Sequence, residues 1–312
     1  MVLYDGSNDA VARRERLAQL ESIRITYPRW QRVVDEIARC HEMSGLTAEP
    51  QCLLLVGPTG AGKSTLVASY ARRYLPVVDE AGIGRPVVRA TIPTPATVKA
   101  LASALLAALG DPRAASGTVG SMTYRLTRYF RDCGVELLIL DELQHFRDRD
   151  SRRVLENASN WLKTLIKETG VACVLVGLQG EAEEVVRVNR QLARLFGDAH
   201  VLLPFAWEEE QPETVREFRT FVGLLDGMLP LPERSGLAER DTARRLYVAS
   251  EGIVAYLMEL IRRATQLAVA QGQAQLNGTL LAAAFEQRLA GTRRGIMNPF
   301  VSDPPMSEAS PS

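Results

Sequence analysis

The chain has no long apolar run, no cysteine pair and no net charge, and each absence narrows what it can be. No stretch of the 312 residues approaches the ~18 apolar residues of a membrane span. The four cysteines, Cys40, Cys52, Cys133 and Cys173, are scattered and form no C-x-x-C pair, so neither a zinc knuckle nor a dithiol redox site is expected. Cys52 and Cys173 lie in apolar runs and read as small hydrophobes. Lys plus Arg and Asp plus Glu are both 37, which gives a formal net charge of zero. Binding to a polyanion then needs a local basic patch, or an oligomer that lines one up. Glycine (23) and proline (16) stand at ordinary levels, which excludes collagen-like and repeat-biased chains. The first residues, MVLYDGSNDAVARRERLAQ, lack the apolar centre of a secretion signal, and the chain is expected to be cytoplasmic and reduced. What is present is an ordinary folding composition, 46% apolar and 24% charged.

Short apolar runs at 52–56, 87–92, 135–140, 171–176 and 200–203 alternate with helical patterns at 64–74, 96–109, 120–131, 151–168 and 182–196. This alternation predicts an α/β fold with a parallel sheet covered on both faces. Near-continuous apolar runs such as L-L-L-V-G and L-L-I-L-D suit strands buried on both sides. Ahead of them, residues 1–20 are polar and expected to fray. Residues 23–43 carry Trp30, Val33, Val34, Ile37 and Ala38 at helical spacing. After residue 203 the strands stop, and four helices are expected at 209–227, 237–249, 253–271 and 279–290. The implied organisation is an N-terminal helical extension (1–45), an α/β domain (46–206), a small helical domain (207–291) and a disordered tail (292–312) rich in Pro and Ser.

Gly57, Pro58, Thr59, Gly60, Ala61, Gly62, Lys63 and Ser64 spell G-P-T-G-A-G-K-S, a complete G-x-x-x-x-G-K-[ST] motif, with Thr65 next in the helix. Such glycines allow a tight loop whose backbone N–H groups wrap phosphate oxygens. Lys63 reaches the β/γ-phosphates, and the Ser64 hydroxyl ligates Mg²⁺. The helix that starts there directs its positive end at the phosphates. Residues 137–142, L-L-I-L-D-E, place acids at the tip of an apolar strand, on the carboxyl edge of the sheet beside that loop. Asp141 is expected to hold Mg²⁺ and Glu142 to polarise the attacking water, which makes the chain an ATPase candidate with ATP and Mg²⁺ as cofactors. The N-K-x-D motif of GTPases and the L-S-G-G-Q motif of transporter ATPases are both missing. Two elements stay open. Gln179, after the run 171–176, either orients the water or senses the γ-phosphate, or is a plain loop residue. Arg190 and Arg194, four apart on one helix face, are either arginine-finger candidates for a neighbour's γ-phosphate or a solvated basic face.

The motifs G-P-T-G-A-G-K-S, L-L-I-L-D-E and R-Q-L-A-R-L-F, followed by helices alone, resemble an AAA+ ATPase. With T-Y-P-R-W ahead of the P-loop and L-I-L-D-E-L-Q-H-F at the second motif, the chain is similar to the TniB/TnsC group of transposition ATPases. The resemblance implies an AAA+ P-loop NTPase with a five-stranded parallel sheet between helices, followed by a small all-helical lid. It also implies an ATP-bound ring or helical filament on double-stranded DNA, largely indifferent to sequence, that recruits a DDE transposase. A target-selection protein of the TniQ type is a further implied partner, and the gene is then a bacterial one on a mobile element. The segments expected to face the channel are those after the second strand of the sheet. Lys99, at the start of one helix, and Thr118, at the start of the next, are the DNA-contact candidates there. Arg147, Arg149, Arg152 and Arg153 form a second basic cluster, either a DNA contact or a solvated face. One departure concerns the lid. After Ser250-Glu251-Gly252, Ala255 and Tyr256 stand where a sensor-2 arginine is expected, so turnover is expected to be slow or partner-stimulated. The competing assignment is a helicase-loader or replication-initiator ATPase with the same core.

Overall fold

The computed structural model describes residues 6–79, 82–147, 152–293 and 295–301. The chain order is α1 (Gly6–Ser22), α2 (Pro28–Glu42), β1 (Cys52–Gly57), α3 (Lys63–Ala71), β2 (Val77–Asp79), β3 (Gly82–Gly84), β4 (Val87–Thr91), α4 (Val98–Leu109) and α5 (Val119–Asp132). It continues with β5 (Leu137–Asp141), a 3₁₀ turn (Leu143–Phe146), α6 (Arg152–Thr169), β6 (Ala172–Leu178), α7 (Glu181–Arg187), α8 (Arg190–Phe196) and β7 (His200–Val201). The last helices are α9 (Pro212–Met228), α10 (Arg240–Ser250), α11 (Val254–Ala270) and α12 (Gly278–Arg288). Two compact units result. One spans Pro28–Leu203, and the other joins α1 to the described residues from Pro204 onward.

The first unit holds a five-stranded sheet in the order β4-β5-β6-β1-β7, every pairing parallel. Leu53–Val56 and Leu137–Leu140 are buried throughout, because helices cover both faces and no position in these stretches meets water. Register brings the carboxyl ends together: Gly57 lies opposite Leu178, and Thr91 opposite Asp141. Loops that leave these strand ends therefore converge on one edge. Side chains from α4, α5 and α6, among them Leu105, Leu126 and Leu162, pack in one apolar core with Leu138 and Leu140 of β5.

Three local departures from the sequence expectation have plain causes. The helical pattern at 182–196 is two helices, because the Asn189 side chain accepts from the N–H groups of Gln191 and Leu192 and starts α8 afresh. The strand expected at 135–140 begins at Leu137, since Val135 N–H still bonds Phe130 O at the end of α5. A short antiparallel hairpin, β2 with β3, follows α3; strands of three residues are too short to leave a period in the sequence.

The second unit begins with a correction. Residues 1–20 are expected to fray; residues 1–5 lie outside the described residues, but from Gly6 on the chain is helical, and Leu20 at the end of α1 is fully buried. Glu21 pairs with Arg262 of α11 at 3.4 Å. Apolar residues are sparse in this helix, so its periodicity carries no signal; the face it uses is supplied by α11. Tyr27 packs near Phe205 and Phe221, with ring centroids 5.1 and 5.2 Å away, and Phe218 meets Tyr247 edge-on. Gly252 has φ +70°, and a Cβ there would collide with Phe205 O, so the position requires glycine. Of the tail expected to be disordered, the described residues at 295–301 also pack. Asn298 Nδ2 donates to Ala282 O and Glu286 Oε1, and Arg245 Nη1 donates to Pro299 O. Residues 302–312 lie outside the described residues. Arg293 sets its guanidinium over the Tyr256 ring, 5.6 Å from the centroid, and pairs with Glu251.

Candidate functional site

The P-loop connects β1 to α3 and owes its path to glycine. Gly60 and Gly62 have φ +81° and +98°, where a side chain is strained. A Cβ on Gly57 would collide with Leu202 O, so that position admits nothing larger. Gly62 caps α3 without any side-chain bond, which leaves the first amides of that helix for a ligand. Trp30 packs behind the loop, 3.8 Å from where a Gly62 Cβ would lie. The Trp of T-Y-P-R-W is therefore part of the site's wall.

Lys63 is 8% exposed, and its ammonium donates to Gly57 O and Pro58 O at 2.8 and 2.9 Å. Burial pushes the Lys63 ammonium below its ordinary value, while the Glu142 and Asp141 carboxylates oppose that shift. A cation held this way, over an uncapped helix N-terminus, presents positive charge to an anion.

Asp141 and Glu142 stand where the sequence places them, at the end of β5. Asp141 is 2% exposed and fully engaged: Oδ1 accepts from Ser64 Oγ (3.2 Å) and Glu142 N–H (3.0 Å), and Oδ2 accepts from Arg89 Nη2 (3.1 Å). A serine hydroxyl and a carboxylate are hard oxygen donors, and their approach suits Mg²⁺, which takes few protein ligands and shares the rest with phosphate and water. The donor set and the glycine cradle thus fit a magnesium nucleotide. Glu142 has a left-handed backbone, φ 63° and ψ 45°, and its carboxylate accepts from Gln144 Nε2.

Two of these neighbours escape sequence reasoning. Arg89 lies in β4 and reaches Asp141 only because β4 and β5 are adjacent; the one available signal is a charged residue inside the apolar run V-V-R-A-T. Gln144, 7% exposed, is a buried amide in the short turn after Glu142.

The remaining candidates spread outward. Thr59 and Thr65 are exposed, Pro58 is half-buried, and Ala61 is buried beneath the loop. Gln179 is exposed immediately past β6. Arg190 opens α8 and Arg194 lies in its last turn; both are exposed, and no ion pair among the described residues engages either. Lys99 is exposed in the first turn of α4. Thr118 caps α5, its hydroxyl accepting from Ser121 N–H at 3.3 Å. Arg147 is taken up by Glu181 and Glu184 of α7 (3.6 and 3.0 Å), and Arg152 by Glu156 (3.0 Å). Arg153 is exposed, and Arg149 lies outside the described residues.

Three solved structures share this arrangement of elements. The fold is similar to that of ORC2 from Aeropyrum pernix in its ADP form, at 18% identity and TM-score 0.62, covering 89% of this chain and 73% of that one. It is similar to Cdc6p from Pyrobaculum aerophilum at 14% identity and TM-score 0.60, covering 88% and 72%. ORC1 from Aeropyrum pernix, in complex with DNA, matches at 17% identity and TM-score 0.57, covering 83% of this chain but 64% of that one. Comparison with curated proteins finds no match. The family model described as bacterial TniB protein matches residues 16–206, more than half of the chain and all of the site just described. The chain therefore belongs to the bacterial TniB family, and it has the AAA+ ATPase fold.

Proposed function

We propose that the chain is an ATP-dependent transposition regulator that oligomerises on double-stranded DNA and, in its ATP state, recruits and activates a DDE transposase. The observation that carries this reading is the gathering of Lys63, Ser64, Asp141 and Glu142 on one sheet edge, within a chain of the TniB family. Ser64 and Asp141 are the residues that would hold Mg²⁺, whose chemistry is to neutralise charge on the phosphates. Lys63 balances the β/γ-phosphates. Glu142 orients the attacking water and takes its proton; its carboxylate is half-buried at the strand end and in the field of Lys63. An exposed Arg194, with Arg190 in reserve, is suited to act in a neighbouring subunit, so hydrolysis and assembly become linked. Partner choice, including a TniQ-type selector, follows from the family alone.

A replication-initiator or helicase-loader role is the second reading, favoured by the fold shared with ORC and Cdc6 proteins. Nucleotide chemistry is common to both, so it is tested first. Lys63→Ala is expected to abolish ATP binding, and Glu142→Gln to bind ATP normally but lose hydrolysis. Equal turnover by wild type and Glu142→Gln removes Glu142 from the mechanism. Stimulation of strand transfer by a DDE transposase from the same element then separates the two roles.

A further inference from the structure

Gln144 links two parts of the site. Its Nε2 donates to the Glu142 carboxylate, and its Oε1 accepts from Leu178 N–H at 3.1 Å. The amide is 7% exposed, and Gly177 makes room for it: a Cβ there would lie 3.0 Å from Gln144 Oε1 and 2.7 Å from the Ala182 Cβ. Leu178 ends β6, lies opposite Gly57 at the mouth of the P-loop and precedes Gln179. One side chain thus runs from the base to the strand end beside the phosphate loop.

The chemistry of the bridge selects glutamine. One end must donate to a carboxylate and the other must accept from a backbone amide. An amide does both; glutamate lacks the donor, lysine lacks the acceptor and methionine lacks a donor altogether. The backbone of Glu142 adds to the case. A non-glycine residue at φ 63° persists only when its surroundings hold it there. His145 fixes the same turn from the other side through its Nδ1 and Ile92 O, 2.7 Å apart. Free rotation of Glu142 is therefore restrained at both backbone and carboxylate.

We infer that Gln144 is a positioning residue for ATP hydrolysis: it aims the Glu142 carboxylate at the attacking water and makes that aim depend on where the end of β6 stands. This rests on the reading of Glu142 as the base. It places no new group on the nucleotide; Gln144 acts only through Glu142. Displacement of Leu178, whether by nucleotide or by a neighbouring subunit, pulls the amide and turns the base. Loss of the bridge is expected to lower kcat and to leave ATP affinity alone, because the phosphates are held by other residues.

The test measures ATP binding and steady-state ATPase of the full chain for wild type, Glu142→Gln, Gln144→Met and Gln144→Glu, with thermal unfolding to monitor the fold. Gln144→Met has similar volume and breaks both bonds. Gln144→Glu keeps an acceptor for Leu178 N–H but sets a second carboxylate against Glu142, so its kcat is read at a pH high enough that the two do not share a proton. Both are expected to cut kcat about 10- to 100-fold with KM and ATP affinity within about twofold of wild type. Adding Gln144→Met to Glu142→Gln is expected to lower the residual rate no further, since the amide acts through that carboxylate. Wild-type kcat in Gln144→Glu would show that the amide only braces β6 and would overturn the inference. So would a rise in KM at unchanged kcat. If wild type and Glu142→Gln turn over equally, it is the assignment of the base that fails, and the inference falls with it.

Discussion

Asp141 shows how a site residue is held before any ligand acts on it. It is buried to 2% exposure, and two neutral donors and the Arg89 guanidinium replace the water its carboxylate gives up. Arg89 is one-third exposed, so the pair is only partly desolvated and its loss is tempered by solvent. Arg89→Ala is expected to destabilise the fold by about 1–3 kcal/mol, the range for leaving one partner of a buried polar group unsatisfied. Chemical denaturation reads this directly, and an unchanged midpoint would show that water replaces the guanidinium without cost. The cysteines illustrate the opposite situation. Burial pushes the Cys52 thiol up to about 12 and the Cys173 thiol up as well, which fits the reading of both as core packing residues.

At the scale of elements, α8 is the segment on which the proposed assembly depends. It is seven residues long, too short to persist on its own, and Asn189 caps it with two backbone bonds and a side-chain bond to Asn160. Asn189→Ala is expected to cost about 1 kcal/mol and to weaken ATP-dependent oligomerisation by displacing Arg194. Sedimentation in the presence of ATP measures it; full assembly in that variant would separate α8 from the subunit interface. The same element shows where sequence patterns stop informing. A single apolar period runs through 182–196, and only the backbone shows that Asn189 interrupts it. The P-loop and L-L-I-L-D-E are legible because their chemistry is written in adjacent residues. Arg89 and Gln144 are not, because each acts across strands whose order, β4-β5-β6, is set by the whole sheet. The α1 helix is hidden for a related reason: its last turn is held by α11, at the far end of the chain.

For the whole molecule, zero net charge is the governing fact. On the proposed role, a single copy would offer duplex DNA few contacts, whereas an assembly would repeat the same few along the backbone so that weak contributions add. Arg147 and Arg152 already pair with glutamates, which leaves Lys99 and the capped start of α5 at Thr118 as the freer candidates. Lys99→Ala is expected to weaken ATP-dependent DNA binding to the same extent on every sequence and to lower the salt slope by about 1 for each phosphate the side chain no longer neutralises. An unaltered slope would move the DNA-facing surface elsewhere. The central claim is the link between nucleotide state and assembly, and light scattering of the Glu142→Gln chain with duplex DNA tests that link most directly. Large, persistent assemblies are expected with ATP and none with ADP. The same small species with ADP, with ATP and with ATP plus DNA would contradict the claim.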